Sequence, residues 1–164
     1  MSETAIKERW AKKAEKPDGT FRPAICYHVS LSALFSEKER MLDKIRDVLS
    51  VFKENQEGCL CLWRQDPLTA RELPRFSPDL WEAYRKILEE AAKEDHVILD
   101  QGASELDAWE GQTEEPFYGP GLSEQEKEVL SFCKAYYGDP SFLANCFVDA
   151  GKPVMIQDIG VRSE

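Results

Sequence analysis

Three aspartates stand where strands would end. Asp66 lies three residues after Trp63, Asp100 directly follows Leu99, and Asp158 directly follows Gln157. Ligands of open α/β sheets bind outside the carboxyl ends of the strands. If the strands are parallel, three carboxylates would meet at one edge. Such a set could hold Mg²⁺, which takes oxygen ligands and retains waters, or supply a general base. Asp is also a common turn former and helix cap where strands end, and that plainer role competes with the catalytic one.

The remaining reactive side chains carry weaker signals. Cys26 and His28 sit at i and i+2 on one expected strand, so they share a face and could pair as nucleophile and base. No third group orients them, and core packing is the better reading of Cys26. Cys59 and Cys61 also share a face, but no further ligands stand at zinc-site spacing. His96 precedes an apolar run and reads as structural or exposed. Arg64, Arg71 and Arg75 flank a long connection; they could receive an anion at the strand edge, or pair with Glu72 and Asp79, and the pairing is preferred. Neither G-x-G-x-x-G nor G-x-x-x-x-G-K-[ST] occurs, so the sequence implies no nucleotide loop and no cofactor.

Charge gives the stronger functional clue. From Glu89 to Glu128 there are thirteen Asp and Glu against two Lys, within a chain of net charge −10. A surface this negative repels phosphate and attracts cations, which argues against nucleic acid as a ligand and for a basic protein partner. Aromatics lie among the acids. The expected contact residues are Glu105, Asp107, Trp109, Glu110, Glu114, Glu115, Phe117 and Tyr118, because interfaces favour aromatic side chains. The competing reading is a solvated surface that promotes solubility. A third is a homo-oligomer with Trp109 and Tyr118 at a symmetric contact.

These groups need a scaffold. At 164 residues the chain is expected to form a single domain over 1–164, long enough to bury a sizeable core. No apolar run approaches the roughly 18 residues of a membrane span, and the charged first sixteen residues lack a signal core. A cytoplasmic protein without a membrane partner is the expectation. The five cysteines match no disulfide framework and read as buried free thiols.

The spacing of Ala5, Ile6, Trp10 and Ala14 predicts a helix over 3–15. Residues 24–30 read as a strand. Ser36 and Glu39 form a capping box before a helix over 37–55, whose inner face is Met41, Leu42, Ile45, Val48, Leu49 and Phe52. The wholly apolar run 59–63 fits a strand buried on both faces. Residues 64–77, with Pro67 and Pro74, read as a connection. Ser77 and Pro78 open a helix with Leu80, Trp81, Tyr84, Ile87, Leu88 and Ala91 inward. Residues 96–99 form a third strand, 103–110 a brief helix and 113–121 a loop. A capping box at Ser123 opens a helix through Tyr137, then come a short helix over 141–150 and a strand over 153–157.

Helices alternating with short apolar strands imply an α/β domain with about four strands in a parallel or mixed sheet; α+β is the alternative. The leading functional expectation is a non-catalytic acidic protein that binds a basic partner, as an inhibitor, an immunity-type protein or an accessory subunit. The alternative is a small α/β enzyme or Mg²⁺-binding domain built on Asp66, Asp100 and Asp158.

Overall fold

The computed structural model describes residues 14–16, 18–65, 69–99 and 124–157. The chain runs β1 (Ala24–Val29), α1 (Leu31–Glu37), α2 (Glu39–Glu54), β2 (Leu60–Gln65), α3 (Thr69–Phe76), α4 (Pro78–Ala92) and β3 (Val97–Leu99). It continues with α5 (Glu124–Phe132), β4 (Cys133–Gly138), α6 (Phe142–Asp149) and β5 (Val154–Ile156). The five strands form one sheet in the order β3-β2-β1-β4-β5, and every pairing is parallel. This is the expected α/β class, with the strands parallel rather than mixed.

Parallel strands covered on both faces must be apolar throughout. β2 shows why its run has no polar alternation. Cys61 and Trp63 enter one core with Tyr27, Val29, Val97 and Leu99, beneath α1 to α4. Leu60 and Leu62 enter the other with Cys26, Ile98, Cys133 and Tyr136, beneath α5 and α6. Met41, Leu42, Ile45, Val48 and Phe52 form the buried face of α2, and the six residues expected to face inward from α4 do so. Each such aliphatic or aromatic side chain contributes on the order of 1.5–3 kcal/mol.

Four local expectations differ from the structure. The box at Ser36 caps nothing: α2 starts after Lys38, whose φ of 52° breaks the chain, and the preceding residues form the separate helix α1. The connection 64–77 contains α3, which tolerates Pro74 near its end. The segment 133–138 is the strand β4, not the end of a helix, so the sheet has five strands. Its Val129, Leu130, Cys133, Tyr136, Tyr137 spacing suits a helix, but β1 offers an open parallel edge that the Tyr-rich segment completes. Finally, Cys26, Cys61 and Cys133 are buried free thiols as expected, whereas Cys59 and Cys146 are only half-buried. The expected helices over 3–15 and 103–110 and the loop over 113–121 lie outside the described residues, apart from the last two positions of the first.

Candidate functional site

Strand order decides which sequence positions can share an edge. β2 and β3 are neighbours, while β5 lies at the opposite end of the sheet. At about 4.8 Å per strand, the end of β5 is about 14 Å from the end of β2 and about 19 Å from that of β3. Asp66, Asp100 and Asp158 themselves lie outside the described residues. So do Glu105, Asp107, Trp109, Glu110, Glu114, Glu115, Phe117 and Tyr118.

A fourth strand-end aspartate lies within them. β1 and β4 are neighbours, yet β1 leads toward β2 and β3 while β4 leads the other way to β5. The winding direction therefore reverses between β1 and β4. Their carboxyl ends come together closely: a Cβ on Gly138 would lie 2.2 Å from the His28 carbonyl oxygen, and Gly138 has a φ of 147°. Only glycine fits there. The next residue, Asp139, donates its backbone N–H to that carbonyl at 3.0 Å.

The Asp139 side chain is 5% exposed and makes three hydrogen bonds. Oδ2 accepts from the backbone N–H of Ser30 at 2.8 Å and from the Ser30 hydroxyl at 3.2 Å. Oδ1 accepts from the Gln157 amide at 2.9 Å. Gln157 in turn donates its backbone N–H to Gly138 at 2.8 Å, and its Oε1 accepts from the Tyr27 hydroxyl at 3.5 Å. One carboxylate thus ties the ends of β1, β4 and β5, with the desolvation of its charge offset by donors from two other segments.

Two helices start at this edge. Ser30 caps α1 by accepting from Ala33 N–H at 3.1 Å, and Ser141 caps α6 by accepting from Ala144 N–H at 3.2 Å. The Tyr136 hydroxyl donates to the Asp139 carbonyl, so the Ser141 hydroxyl, 3.0 Å away, must donate to the Tyr136 oxygen. Burial pushes the Tyr136 hydroxyl above its ordinary range, partly opposed by the Ser141 hydrogen bond, and burial likewise raises Tyr27. Both stay protonated donors at neutral pH.

Beneath the same edge, His28 and Arg64 face each other across β1 and β2 on the Tyr136 side of the sheet. Both are buried. His28 Nδ1 lies 3.2 Å from the Arg64 carbonyl, so it carries the hydrogen. Arg71 and Arg75 pair with Glu72 at 2.8 and 3.4 Å, as expected for these two. Cys26 lies fully buried behind His28. His96 is buried rather than exposed, with Nδ1 3.9 Å from Glu94.

No protein family model, curated protein or solved structure matches this chain. Function must therefore be argued from the site. Sequence reasoning misses Asp139 because residues 133–137 fit a helical period and Gly138-Asp139 reads as the stop after it; as a strand, the segment is one more strand end followed by an aspartate. It misses Ser30 because the strand pattern over 24–30 includes that residue, whereas it is the cap beyond β1.

Proposed function

We propose that this chain is a ligand-binding α/β domain that takes a small anionic molecule at the carboxyl edge of its sheet, between β1 and β4. The observation that carries the reading is the reversal of strand order at that point. Doubly wound sheets bind ligands in the crevice that such a reversal opens. Asp139, held by Ser30 and Gln157, ties the strand ends together at that point and is a positioning residue rather than a reacting one. Two features favour negative charge in the ligand. Arg64 lies beneath the edge on the strand beside β1, and the first turn of α6 carries no acidic residue, while the charge of the Asp139 carboxylate is already met by donors from Ser30 and Gln157.

The test is an NMR titration with a panel of phosphate- and carboxylate-bearing metabolites. Binding should move the amide signals of residues 30–33 and 141–144, and Arg64→Met should weaken it. If no anion moves those signals, the reading is wrong.

The charge band supports a second reading, an acidic protein that engages a basic partner as an inhibitor or accessory subunit. Its contact residues would be Glu105, Asp107, Trp109, Glu110, Glu114, Glu115, Phe117 and Tyr118. Lys substitution at Glu110, Glu114 and Glu115 would then slow association with a partner captured at low salt, without unfolding the protein. Unchanged association would end that reading. A hard-cation site on Asp66 and Asp100, which follow neighbouring strands, would instead show as Mg²⁺-dependent stabilisation lost in Asp100→Asn.

A further inference from the structure

The helices divide unequally between the two faces of the sheet. On the Tyr27 face, α1 to α4 form one core with β1, β2 and β3. Over β4 and β5 that face is left open among the described residues. Tyr137 is only half-buried, and Met155, its register partner on β5, is 66% exposed. Between α2 and the Tyr137 side of this strip runs a groove of about 760 Å³, with Met155 on the open surface beyond its lining. Ile25 and Tyr137 line its floor, and Val48, Val51 and Phe52 line its α2 wall, with Val51 57% exposed.

We propose that this groove is the docking site for an amphipathic helix of a partner protein, with an apolar stripe flanked by Lys and Arg. Its dimensions select a helix. Two strand spacings make a strip about 10 Å wide, which matches the 8–10 Å separation of packed helices. The α2 wall runs from Lys44 to Asn55, about 16 Å or three helical turns, with contacts recurring at i, i+3 and i+4. A wall of that length can seat about three turns of a neighbouring helix.

Charge selects the flanks. Among the described lining residues Asp47, Glu54 and Glu57 stand against one cation, Lys44, while Lys16 reaches the Glu57 carbonyl at the end of the groove with Nζ 3.2 Å away. Lys44 already lies over the Tyr137 ring, with Nζ 5.8 Å from its centroid. None of the three carboxylates is in an ion pair among the described residues. A helix with basic flanks would bury its apolar stripe on Val51, Tyr137 and Met155 while its cations meet these acids, the arrangement of a helix in a groove. The inference rests on neither functional reading above: the groove lies on the opposite sheet face from His28, and its acids lie outside the band from Glu89 to Glu128.

The experiment is an NMR titration of the intact chain with a leucine–lysine amphipathic peptide of about 18 residues, five turns long. A leucine–glutamate peptide of the same pattern is the control. The leucine–lysine peptide should bind about tenfold or more tighter than the control, moving the signals of Val51, Tyr137 and Met155. Val51→Glu and Met155→Glu alter exposed side chains and should each weaken it about tenfold. The triple change Asp47→Asn, Glu54→Gln and Glu57→Gln should remove most of the salt dependence. Equal binding of both peptides, signals that move elsewhere, or affinity unchanged in Val51→Glu would overturn the proposal. So would an anilinonaphthalene dye that fills the groove and is not displaced by the peptide, which would assign it to a small apolar ligand.

Discussion

The carboxylate of Asp139 accepts the backbone N–H of Ser30 at 2.8 Å, joining two strand ends separated by 109 residues of chain. This contact crosses the place where the described strands change winding direction. Because the same carboxylate also holds Gln157, its loss strands donors in two other segments at once.

Asp139→Ala should therefore destabilise the fold by about 3 kcal/mol, the scale of losing charged hydrogen bonds and leaving buried donors unmade. Asp139→Asn keeps the shape but turns an N–H₂ toward one of those donors, so about 1–2 kcal/mol is expected. Urea unfolding of both variants measures the difference. Equal stability of all three proteins would show that the network contributes nothing.

Gly138→Ala is expected to be worse than its size suggests. The new methyl would lie 2.2 Å from the His28 carbonyl at a φ that L-residues avoid. β1 and β4 would have to separate at their ends, at a cost of roughly 3 kcal/mol or more. A melting temperature within a degree of the parent would contradict the close approach described here.

Alkaline pH should loosen the protein in two stages. Burial raises Cys61, Tyr27 and Tyr136 above their ordinary values of 9.0 for the thiol and 10.0 for the phenols. In each case the folded state favours the neutral form. The unfolded chain ionises first, so stability is fully present below pH 9 and falls as pH rises through the folded-state values. Denaturant midpoints at pH 8, 9, 10 and 11 should decline. Cys61→Ala should flatten the first part of the decline, and Tyr136→Phe the second. A midpoint that does not change up to pH 11 would refute the assignment.

Thr69 is fully buried, and its hydroxyl has no hydrogen-bond partner among the described residues. An unmade buried hydroxyl is costly, so the nearly isosteric Thr69→Val should stabilise the protein by about 1 kcal/mol. A loss of stability on calorimetry would mean that the hydroxyl is satisfied.

Lys152 closes the end of α5. Its ammonium donates to the Leu130 carbonyl and, at 2.8 Å, to that of Cys133, with Phe147 beneath it. Lys152→Met keeps the apolar stem and removes both bonds, and should cost about 1–2 kcal/mol. Amide exchange should quicken first at residues 129–134. Uniform exchange rates across the whole chain would argue against a local role.

The sequence made β1, β2, α2 and α4 legible because each carries a pattern with a single physical solution. Leu60 to Trp63 is apolar on both faces, and Met41 to Phe52 is apolar on one. β4 was not legible because Val129, Leu130, Cys133, Tyr136 and Tyr137 satisfy a helical period, and only the open edge of β1 resolves the choice. α1 was hidden because its break at Lys38 is a backbone event that no side chain announces. The Asp139 site was hidden for a further reason. Its members come from residues 27–30, 136–141 and 157, and strand order, which brings them together, is non-local.

The central strand also orders events in time. β1 pairs with β2 through residues 60–65, but its other edge waits for residues 133–138. A chain emerging from the ribosome can assemble β1, β2 and β3 with their helices while that edge still exposes unpaired backbone groups. Such long-range parallel pairing is slow to form, because the loop must close before the contacts form. Chains from which residues 133–138 have not yet emerged are thus the form most open to edge-to-edge association, and arrival of β4 and β5 ends that exposure.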